Sequence, residues 1–312
     1  MYDLIVIGLG PAGMTAGIFS ARREMKTLVI GKELGGQLIW ANEIENYPGA
    51  PKISSFDLVE NMQKQTIDSG AEIKLAEVKR IERKENGNFL VSTGQEVYET
   101  SSVIACLGLS PRRLAIKGEV DFSGKGVSYC ANCDGPFYKN KRVAVIGGGN
   151  SALDAAEVLS KISSQVELIH RGSEFRGFES LVKDVNDIEN INISLNSELR
   201  EIDGGSKVEK IKVINHSDNS EREIEIDGVF IEVGRIASTD LLADFVDRSE
   251  KNQIIVNNQG ETKTPGLFAA GDVTSCEIKQ ITVATGQATI AALSAYKYLQ
   301  RTTGKTFVDR KY

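Results

Sequence analysis

The sequence predicts an α/β protein built from two Rossmann-like dinucleotide-binding domains, and a repeat within the chain carries that prediction. The opening stretch YDLIVIGLGPAG returns as KRVAVIGGGNSA at residues 141–152. Each copy has the pattern of a buried strand, a glycine turn and the start of a helix. A second apolar strand follows each copy, KTLVIG or QVELIH, and completes a strand–helix–strand unit. A chain of 312 residues has room for two such domains.

The first glycine loop fits the dinucleotide-binding spacing GxGxxG with Gly8, Gly10 and Gly13. In this pattern one residue makes the tight turn, one lets the backbone approach a pyrophosphate, and one allows close packing of helix on strand. The N-terminus of the next helix then faces the phosphates. Glycine turns also occur for steric reasons alone, but apolar residues at helical spacing in PAGMTAGIFSARREM favour a dinucleotide site.

The second glycine loop has the same spacing with Gly147, Gly149 and Ala152. The segment NSALDAAEVLSKI after it also carries apolar residues at helical spacing. Two such loops in one chain imply two dinucleotides, which suggests a flavin enzyme that also meets a nicotinamide nucleotide. Towards the C-terminus, TPGLFAAGDVTS places Asp272 at the end of an apolar strand. Its carboxylate is predicted either to bind cofactor hydroxyls or to cap a turn or helix.

Cys130 and Cys133 form a CxxC pair in GVSYCANCDGPFY. A structural zinc site needs four ligands, and the remaining cysteines and histidines form no second paired motif. An inert staple across two residues would constrain almost no chain entropy and would be unusual in a reducing cytosol. The sequence therefore favours redox exchange, in which one thiolate attacks a partner's disulfide and the second resolves the mixed disulfide.

The composition excludes some classes of partner. The net charge is −6, and no run of Lys and Arg is present that would neutralise a row of phosphates, so no nucleic-acid partner is expected. The N-terminal apolar run stops at the first glycine loop, which is too short for a signal or membrane segment. A cytoplasmic protein without a membrane partner is the expectation.

With these motifs together, the sequence resembles the low-molecular-weight thioredoxin reductases, class II of the FAD-dependent pyridine nucleotide-disulfide oxidoreductases. The resemblance covers nearly the whole chain, and several of the motifs are specific to that family. In order along the chain they are GLGPAG, GGQL at 35–38, ENYPG at 45–49, CANCDG, GGGNSALDAA, HRGSEFR, VGR around Gly234 and AAGDV.

The resemblance implies a discontinuous FAD-binding domain, residues 1–112 and 245–312, with an inserted NAD(P)H-type domain, residues 113–244, that carries the CxxC. Both domains would be of the three-layer ββα type, and the protein would be a homodimer. The stretches 108–113 and 233–240 end apolar strands with turn residues and are predicted as the crossings.

The resemblance also assigns functional residues. Cys133 would exchange electrons with the isoalloxazine, and Cys130 would attack the disulfide of thioredoxin or a thioredoxin-like protein. Asp134 would be the general acid and base for the departing thiolate, although Asp before Gly-Pro also suits an Asx turn and both roles can hold. The residues implied to hold FAD are Gly8, Gly10, Gly13, Gln37, Asn46 and Asp272, with Gln280 near the isoalloxazine.

The electron donor is predicted from the segment HRGSEFRG. Relatives that use NADPH typically have HRRxxxR there, whose arginines bind the 2′-phosphate. Arg171 and Arg176 remain in this chain, but Gly172 replaces the middle arginine and His170 stands where NAD enzymes prefer a carboxylate. NADPH is ranked first, NADH second and reduced ferredoxin third.

Two other functions compete with a thioredoxin reductase. A ferredoxin or flavodoxin NADP reductase-like diaphorase would have similar dinucleotide loops, but it would leave the CxxC without a role. A flavin-binding redox sensor would use the CxxC only to report redox state. Replacing Cys133 with serine distinguishes them. A thioredoxin reductase should lose disulfide reduction and keep dye reduction, whereas unchanged reduction of the partner would reject that function.

Overall fold

The structure, a computed structural model, describes residues 1–40 and 43–304. The chain divides into two compact units: the first contains Met1–Ser110 and the chain from Ile236 on, and the second contains Pro111–Arg235. The sequence prediction puts the two breaks after residues 112 and 244, and the observed breaks fall inside the two stretches named as crossings. The assignment of FAD to the first unit and of a nicotinamide nucleotide to the second stays a prediction.

The strands and helices are numbered in the order in which they follow along the chain. The strands are β1 Tyr2–Leu9, β2 Thr27–Leu34, β3 Glu43–Ile44, β4 Ile53–Ser54, β5 Glu72–Leu75, β6 Arg80–Arg83, β7 Phe89–Ser92, β8 Val97–Ala105, β9 Ser110–Pro111, β10 Val127–Ser128, β11 Arg142–Ile146, β12 Gln165–Ile169, β13 Ile191–Ser194, β14 Ser197–Gly204, β15 Val208–Asn215, β16 Glu221–Glu225, β17 Gly228–Ile231, β18 Arg235–Ile236 and β19 Leu267–Ala269. The helices are α1 Pro11–Ala21, α2 Ser55–Asp68, α3 Ala131–Asp134, α4 Asn150–Ser160, α5 Glu179–Asp187 and α6 Ile281–Thr303.

The first unit is built on a sheet whose parallel part has the order β5-β2-β1-β8, with β19 also pairing with β8. Antiparallel β7 and β6 extend it beyond β8. Successive residues of β1 point to opposite faces. Leu4 and Val6 pack with α1 and α6 on one face, and Ile5 and Ile7 belong to the core on the other. The sheet is therefore buried on both faces, as the continuous apolar run predicts.

The second unit is built on a parallel sheet of order β10-β17-β11-β12-β13. On one face, Val143 and Val145 of β11 pack with the apolar side of α4. On the other face, Ala144 and Ile146 pack against the antiparallel sheet β14-β15-β16. Antiparallel sheet, parallel sheet and helices make three layers, and the predicted fold class is confirmed.

The strands within residues 208–231 belong to two different sheets. β15 and β16 are antiparallel, but β17 lies in the middle of the parallel sheet. The sequence of β17 explains this position: all four residues of GVFI are buried, and such an apolar run suits a strand covered on both faces. Within residues 1–40 and 43–304, no helix has the length and apolar character to cross a bilayer.

Candidate active site and nucleotide-binding loops

In the first glycine loop, two glycines are needed for close packing and the third leaves room for a ligand. Gly8 has φ +123°, and a Cβ on it would lie 2.0 Å from the Cys106 carbonyl oxygen. A Cβ on Gly13 would lie 1.8 Å from the Gly8 carbonyl oxygen, so both positions exclude a side chain. A Cβ on Gly10 would have its nearest neighbours at 3.8 Å, and Gly10 caps α1 without a side-chain hydrogen bond. The side of Gly10 at the N-terminus of α1 is therefore the part of this loop that a phosphate can approach.

The second glycine loop repeats this division. Gly147 has φ +150°, and a Cβ there would lie 2.3 Å from the Glu232 carbonyl oxygen and 2.8 Å from the Ala152 Cβ. Ala152 is fully buried where α4 packs on the sheet. Gly149 has no atom within 4 Å of the position of its Cβ, and it caps α4 without a side-chain hydrogen bond. Gly149 therefore corresponds to Gly10 as the position open to an anion.

Four of the residues predicted to hold FAD meet in two hydrogen-bonded pairs in the first unit. Gln37 Nε2 donates to Asp272 Oδ2 at 2.8 Å, and Asn46 Nδ2 donates to Gln280 Oε1 at 3.2 Å. Gln37 lies in a 3-10 helix, Gly36–Trp40, and the nearest neighbours of the open side of Gly10 are the Gly35 carbonyl oxygen and the Gly36 Cα. The open glycine position and this polar pair are close together at the carboxyl end of the sheet, as a dinucleotide requires.

Two residues that the sequence analysis missed hold the Asp272 turn. Gln287, on α6, accepts hydrogen bonds at Oε1 from the Gly271 N–H at 2.9 Å and the Thr274 hydroxyl at 3.2 Å. Lys279 Nζ donates to the Asp272 carbonyl oxygen at 2.9 Å, and burial lowers its pKa. Neither residue belongs to a recognisable motif, so no local signal identifies them.

Cys130 and Cys133 form a disulfide with a Cα–Cα distance of 5.4 Å. Cys130 is 8% exposed and caps the short helix α3, and its Sγ accepts a hydrogen bond from the Cys133 N–H at 3.1 Å. Cys133 is exposed. A hydrogen bond to sulfur favours the thiolate over the thiol, so the geometry suits thiol–disulfide exchange.

The strand that leads to Cys130 is fixed from two sides. The Cys130 N–H donates to Ser128 Oγ at 3.0 Å. Tyr129 donates its hydroxyl to Glu119 Oε1 at 2.7 Å, and burial followed by the Glu119 hydrogen bond raises the pKa of Tyr129. Glu119 is fully buried and also accepts from the N–H groups of Leu114 and Ala115. Sequence analysis missed this carboxylate, because an isolated Glu in a polar stretch gives no sign of burial.

Asp134 is the last residue of α3 and precedes the 3-10 helix Gly135–Tyr138. It is partly exposed, and it makes no side-chain hydrogen bond to cap that 3-10 helix. Burial raises the pKa of Tyr138, and the charge of Asp134 adds to this effect. The carboxylate therefore stands one residue from Cys133 and is not used as a cap of this helix.

The loop after β12 carries the residues predicted to recognise the donor. Arg171 and Arg176 are exposed, and neither guanidinium forms an ion pair with a residue in 1–40 or 43–304. The Arg176 N–H donates to the Gly148 carbonyl oxygen at 2.7 Å, which ties this loop to the second glycine loop. Two cations thus lie on a segment joined to the start of α4.

His170 fills the space beside Gly172 at the end of β12. Its ring is 7% exposed and stacks on Phe175 with centroids 5.7 Å apart. Burial lowers the pKa of His170, and the charges of Arg176 and Arg171 lower it further. A Cβ on Gly172 would lie 2.7 Å from His170 Nε2, so a larger residue at 172 has to displace the ring.

The other two cysteines are free. Cys106 is 5% exposed and burial raises its pKa, so it packs as a small buried hydrophobic residue. Cys276 is partly exposed and follows the Asp272 turn. Among the described residues, no group of His, Cys, Asp and Glu is arranged to hold a metal ion.

Known proteins are similar to this chain in sequence and in structure over most of its length. Residues 2–288 match the family described as pyridine nucleotide-disulphide oxidoreductase. The thioredoxin reductase of Treponema pallidum (strain Nichols) is 37% identical over 300 residues, which cover 96% of this chain and 97% of that protein. The crystal structure of Lactococcus lactis thioredoxin reductase (FR conformation) has a TM-score of 0.89 at 36% identity, over 96% of this chain and 100% of that one. A ferredoxin-flavin thioredoxin reductase from Clostridium acetobutylicum has a TM-score of 0.53 at 32% identity, over 96% and 98%.

Proposed function

The chain belongs to the pyridine nucleotide-disulphide oxidoreductase family, and we propose that it is a cytoplasmic, FAD-dependent thioredoxin reductase with NADPH as its electron donor. The observation that carries the proposal is the Cys130–Cys133 disulfide next to Asp134, in a chain that also has two open glycine loops at helix N-termini. Its relatives along nearly its full length include thioredoxin reductases.

The first unit would hold FAD through its own residues. The open side of Gly10 and the uncapped N-terminus of α1 would receive the pyrophosphate. Gln37 and Asp272 would bind hydroxyl groups, while Asn46 and Gln280 would lie towards the ring. Bound FAD supplies the chemistry of taking two electrons from a hydride donor and giving them to a disulfide.

The dithiol would carry those two electrons to the substrate. The Cys130 thiolate attacks one sulfur of the thioredoxin disulfide, forming a mixed disulfide and releasing the other sulfur as a thiolate. Asp134, which has taken the proton of Cys130, delivers it to that thiolate. The Cys133 thiol then gives its proton to Asp134 and attacks the Cys130 sulfur, which releases the second thioredoxin sulfur as a thiolate and restores the Cys130–Cys133 disulfide. Asp134 passes this second proton to the released thiolate. Thioredoxin gains two electrons and two protons, and the dithiol loses them.

NADPH is proposed first because Arg171 and Arg176 are exposed cations without an ion-pair partner in the described part of the chain. A 2′-phosphate is the group that such arginines bind. Gly172 stands where relatives that use NADPH typically have a further arginine, so NADH is the second candidate. Reduced ferredoxin is third, and it is the donor class named for the Clostridium relative.

A homodimer is part of the proposal and is tested by sedimentation of the purified protein.

The deciding experiment is an anaerobic titration of the yellow holoenzyme with NADPH, NADH and reduced ferredoxin in turn, following the loss of flavin absorbance. Each donor is then used to drive reduction of a separate thioredoxin, measured as free thiols. The proposal expects NADPH to bleach the flavin fastest and thioredoxin to be reduced. A colourless protein, or a flavoprotein that reduces dyes but never thioredoxin, would reject it.

A further inference from the structure

The parallel sheet of the second unit has a topological switch point. From β11 the chain order runs to β12 and β13 on one side, while β17 and β10 lie on the other. In open sheets of this kind, ligands bind outside the carboxyl ends of the strands at such a point. The Gly147 loop follows β11 there, and Glu232 directly follows β17.

Glu232 is part of the wall of the glycine loop. Its N–H donates to the Ile146 carbonyl oxygen at 2.8 Å, and its own carbonyl oxygen lies 2.3 Å from where a Gly147 Cβ would stand. The residue is partly buried. Within residues 1–40 and 43–304, its carboxylate makes no hydrogen bond and no ion pair within 4 Å, although the charge of Arg235 acts on it. Neither carboxylate oxygen is a buried polar atom left without a partner, so the group is open to solvent and to an external cation.

The charges around Glu232 support this interpretation. Burial raises the pKa of Glu232, the charge of Arg235 opposes this, and the charge of Asp154 on α4 adds to it, so that the pKa is about 7. The side chain therefore changes charge near neutral pH. Burial, with a contribution from Glu157, also raises the pKa of Asp154.

The order of the anion-binding groups along the sheet indicates which end of a dinucleotide would reach Glu232. Arg171 and Arg176 follow β12 on one side of the switch point, and the open Gly149 position marks the start of α4. A nucleotide with its 2′-phosphate at the arginines and its pyrophosphate at α4 would extend its other end towards β17. That end is the nicotinamide, whose ring is a cation when oxidised and neutral when reduced.

We propose that Glu232 is a specificity-determining residue that binds the oxidised nicotinamide ring in preference to the reduced ring. This inference rests on the proposed function, because it requires a nicotinamide nucleotide as the donor. A tenfold preference for the oxidised form would lower the reduction potential of the bound couple by about 30 mV. The nucleotide would then be a stronger reductant on the enzyme than in solution.

The test measures binding to the holoenzyme by calorimetry at pH 8.5, where Glu232 is ionised. Three ligands separate the ends of the nucleotide: NADP⁺, a tetrahydro-NADP whose neutral ring transfers no hydride, and adenosine 2′,5′-bisphosphate, which has no nicotinamide. Glu232→Gln should weaken NADP⁺ binding about tenfold, the scale of a contact to a charged group, and change the other two less than about twofold. Glu189→Gln removes an exposed carboxylate of the same unit and should change none of them.

Repeating the titration at pH 6 gives a second readout. The wild type should lose its preference for NADP⁺ as Glu232 takes up a proton, while Glu232→Gln should show the same ratio at both pH values. The variant should remain folded, because a buried acid with a raised pKa destabilises the protein above that pKa and glutamine carries no charge. Its melting temperature at pH 8.5 checks this.

Three results would overturn the inference: equal weakening of all three ligands, unchanged NADP⁺ binding in Glu232→Gln, or no binding of any of them to the wild type. Failure of the proposed function is separate. If the binding results hold but thioredoxin is not reduced, the function is wrong and the role of Glu232 stands. If thioredoxin is reduced but Glu232→Gln binds NADP⁺ as tightly as the wild type, the proposed function stands and the role of Glu232 is wrong.

Discussion

Gln37 donates a hydrogen bond to Asp272 across 235 positions of sequence, with 2.8 Å between Nε2 and Oδ2. This contact joins the segment after β2, which lies beside the open side of Gly10, to the turn after β19, where Gly271 packs against Ala12 of α1. Gln287 and Lys279 hold the backbone of that turn. The Asp272 carboxylate is therefore fixed in place before any ligand arrives, which reduces the entropy that binding has to overcome.

The first prediction concerns flavin retention. Asp272→Ala should lower the affinity for FAD about tenfold or more, because a hydrogen bond from a cofactor hydroxyl to a carboxylate contributes roughly 1.5–3 kcal/mol. The measurement is the ratio of flavin to protein absorbance after dialysis, followed by titration of the apoprotein with FAD. Asp244→Ala removes an exposed carboxylate of the same unit and should keep its flavin. Equal FAD affinity in both variants would remove Asp272 from the site.

The second prediction separates the thioredoxin reductase from a diaphorase and from a sensor. Cys133→Ser should abolish thioredoxin reduction, since the dithiol can no longer accept two electrons, and should leave donor-driven dye reduction near the wild-type rate. Cys276→Ser serves as the control, because it removes a free, partly exposed thiol outside the pair. Thioredoxin reduction that survives in Cys133→Ser would mean that the disulfide is not on the electron path.

A third prediction tests Asp134 as the proton donor. Asp134→Asn should lower kcat for thioredoxin by about a hundredfold or more, the usual scale for a general acid or base, with flavin content unchanged. Stopped-flow measurement of flavin reduction by the donor should stay close to wild type, because that step precedes proton delivery to the substrate thiolate. The exposed Asp121 provides a matched Asp→Asn control. A kcat within twofold of wild type would leave Asp134 with no catalytic role.

The sequence predicted the repeat, the glycine loops and the fold class because these depend on local patterns. Strand, glycine turn and helix follow one another in both halves, and β1 and β11 are buried as their apolar runs indicate. The disulfide partners also lie within one short motif. Each of these features is encoded within about 30 residues, the length of one strand–helix–strand unit.

The supporting residues escaped prediction because their roles depend on contacts far along the chain. Glu119 is fully buried only because Tyr129 and two backbone N–H groups surround it. Gln287 is one of many polar residues on α6, and only the fold brings it to the Gly271 N–H. Glu232 is different, since a carboxylate directly after the apolar run GVFI is visible in the sequence and was a usable signal.

The fourth prediction contrasts two glycines of one loop. Gly147→Ala should destabilise the second unit, because its Cβ would meet the Glu232 carbonyl oxygen at 2.3 Å and its φ is +150°. Gly149→Ala has free space and an extended backbone, so it should fold with at most about 1 kcal/mol lost at the helix cap. It should nevertheless weaken nucleotide binding, since the methyl group fills the path of the phosphate. Thermal unfolding and calorimetric titration with NADP⁺ measure the two effects, and normal binding by Gly149→Ala would contradict the phosphate assignment.

The last prediction addresses the missing arginine. Gly172→Arg should lower KM for NADPH relative to NADH about tenfold, because it returns a cation to the loop that carries Arg171 and Arg176. It should also cost about 1 kcal/mol or more in the free energy of unfolding, since the new Cβ forces His170 to move within its buried site. Gly205→Arg adds the same charge at an exposed glycine of the same unit and should leave the KM ratio unchanged. Steady-state kinetics with both nucleotides, together with urea unfolding, decide the outcome. An unchanged KM ratio in Gly172→Arg would mean that this loop does not contact the 2′ position and would favour a donor other than NADPH.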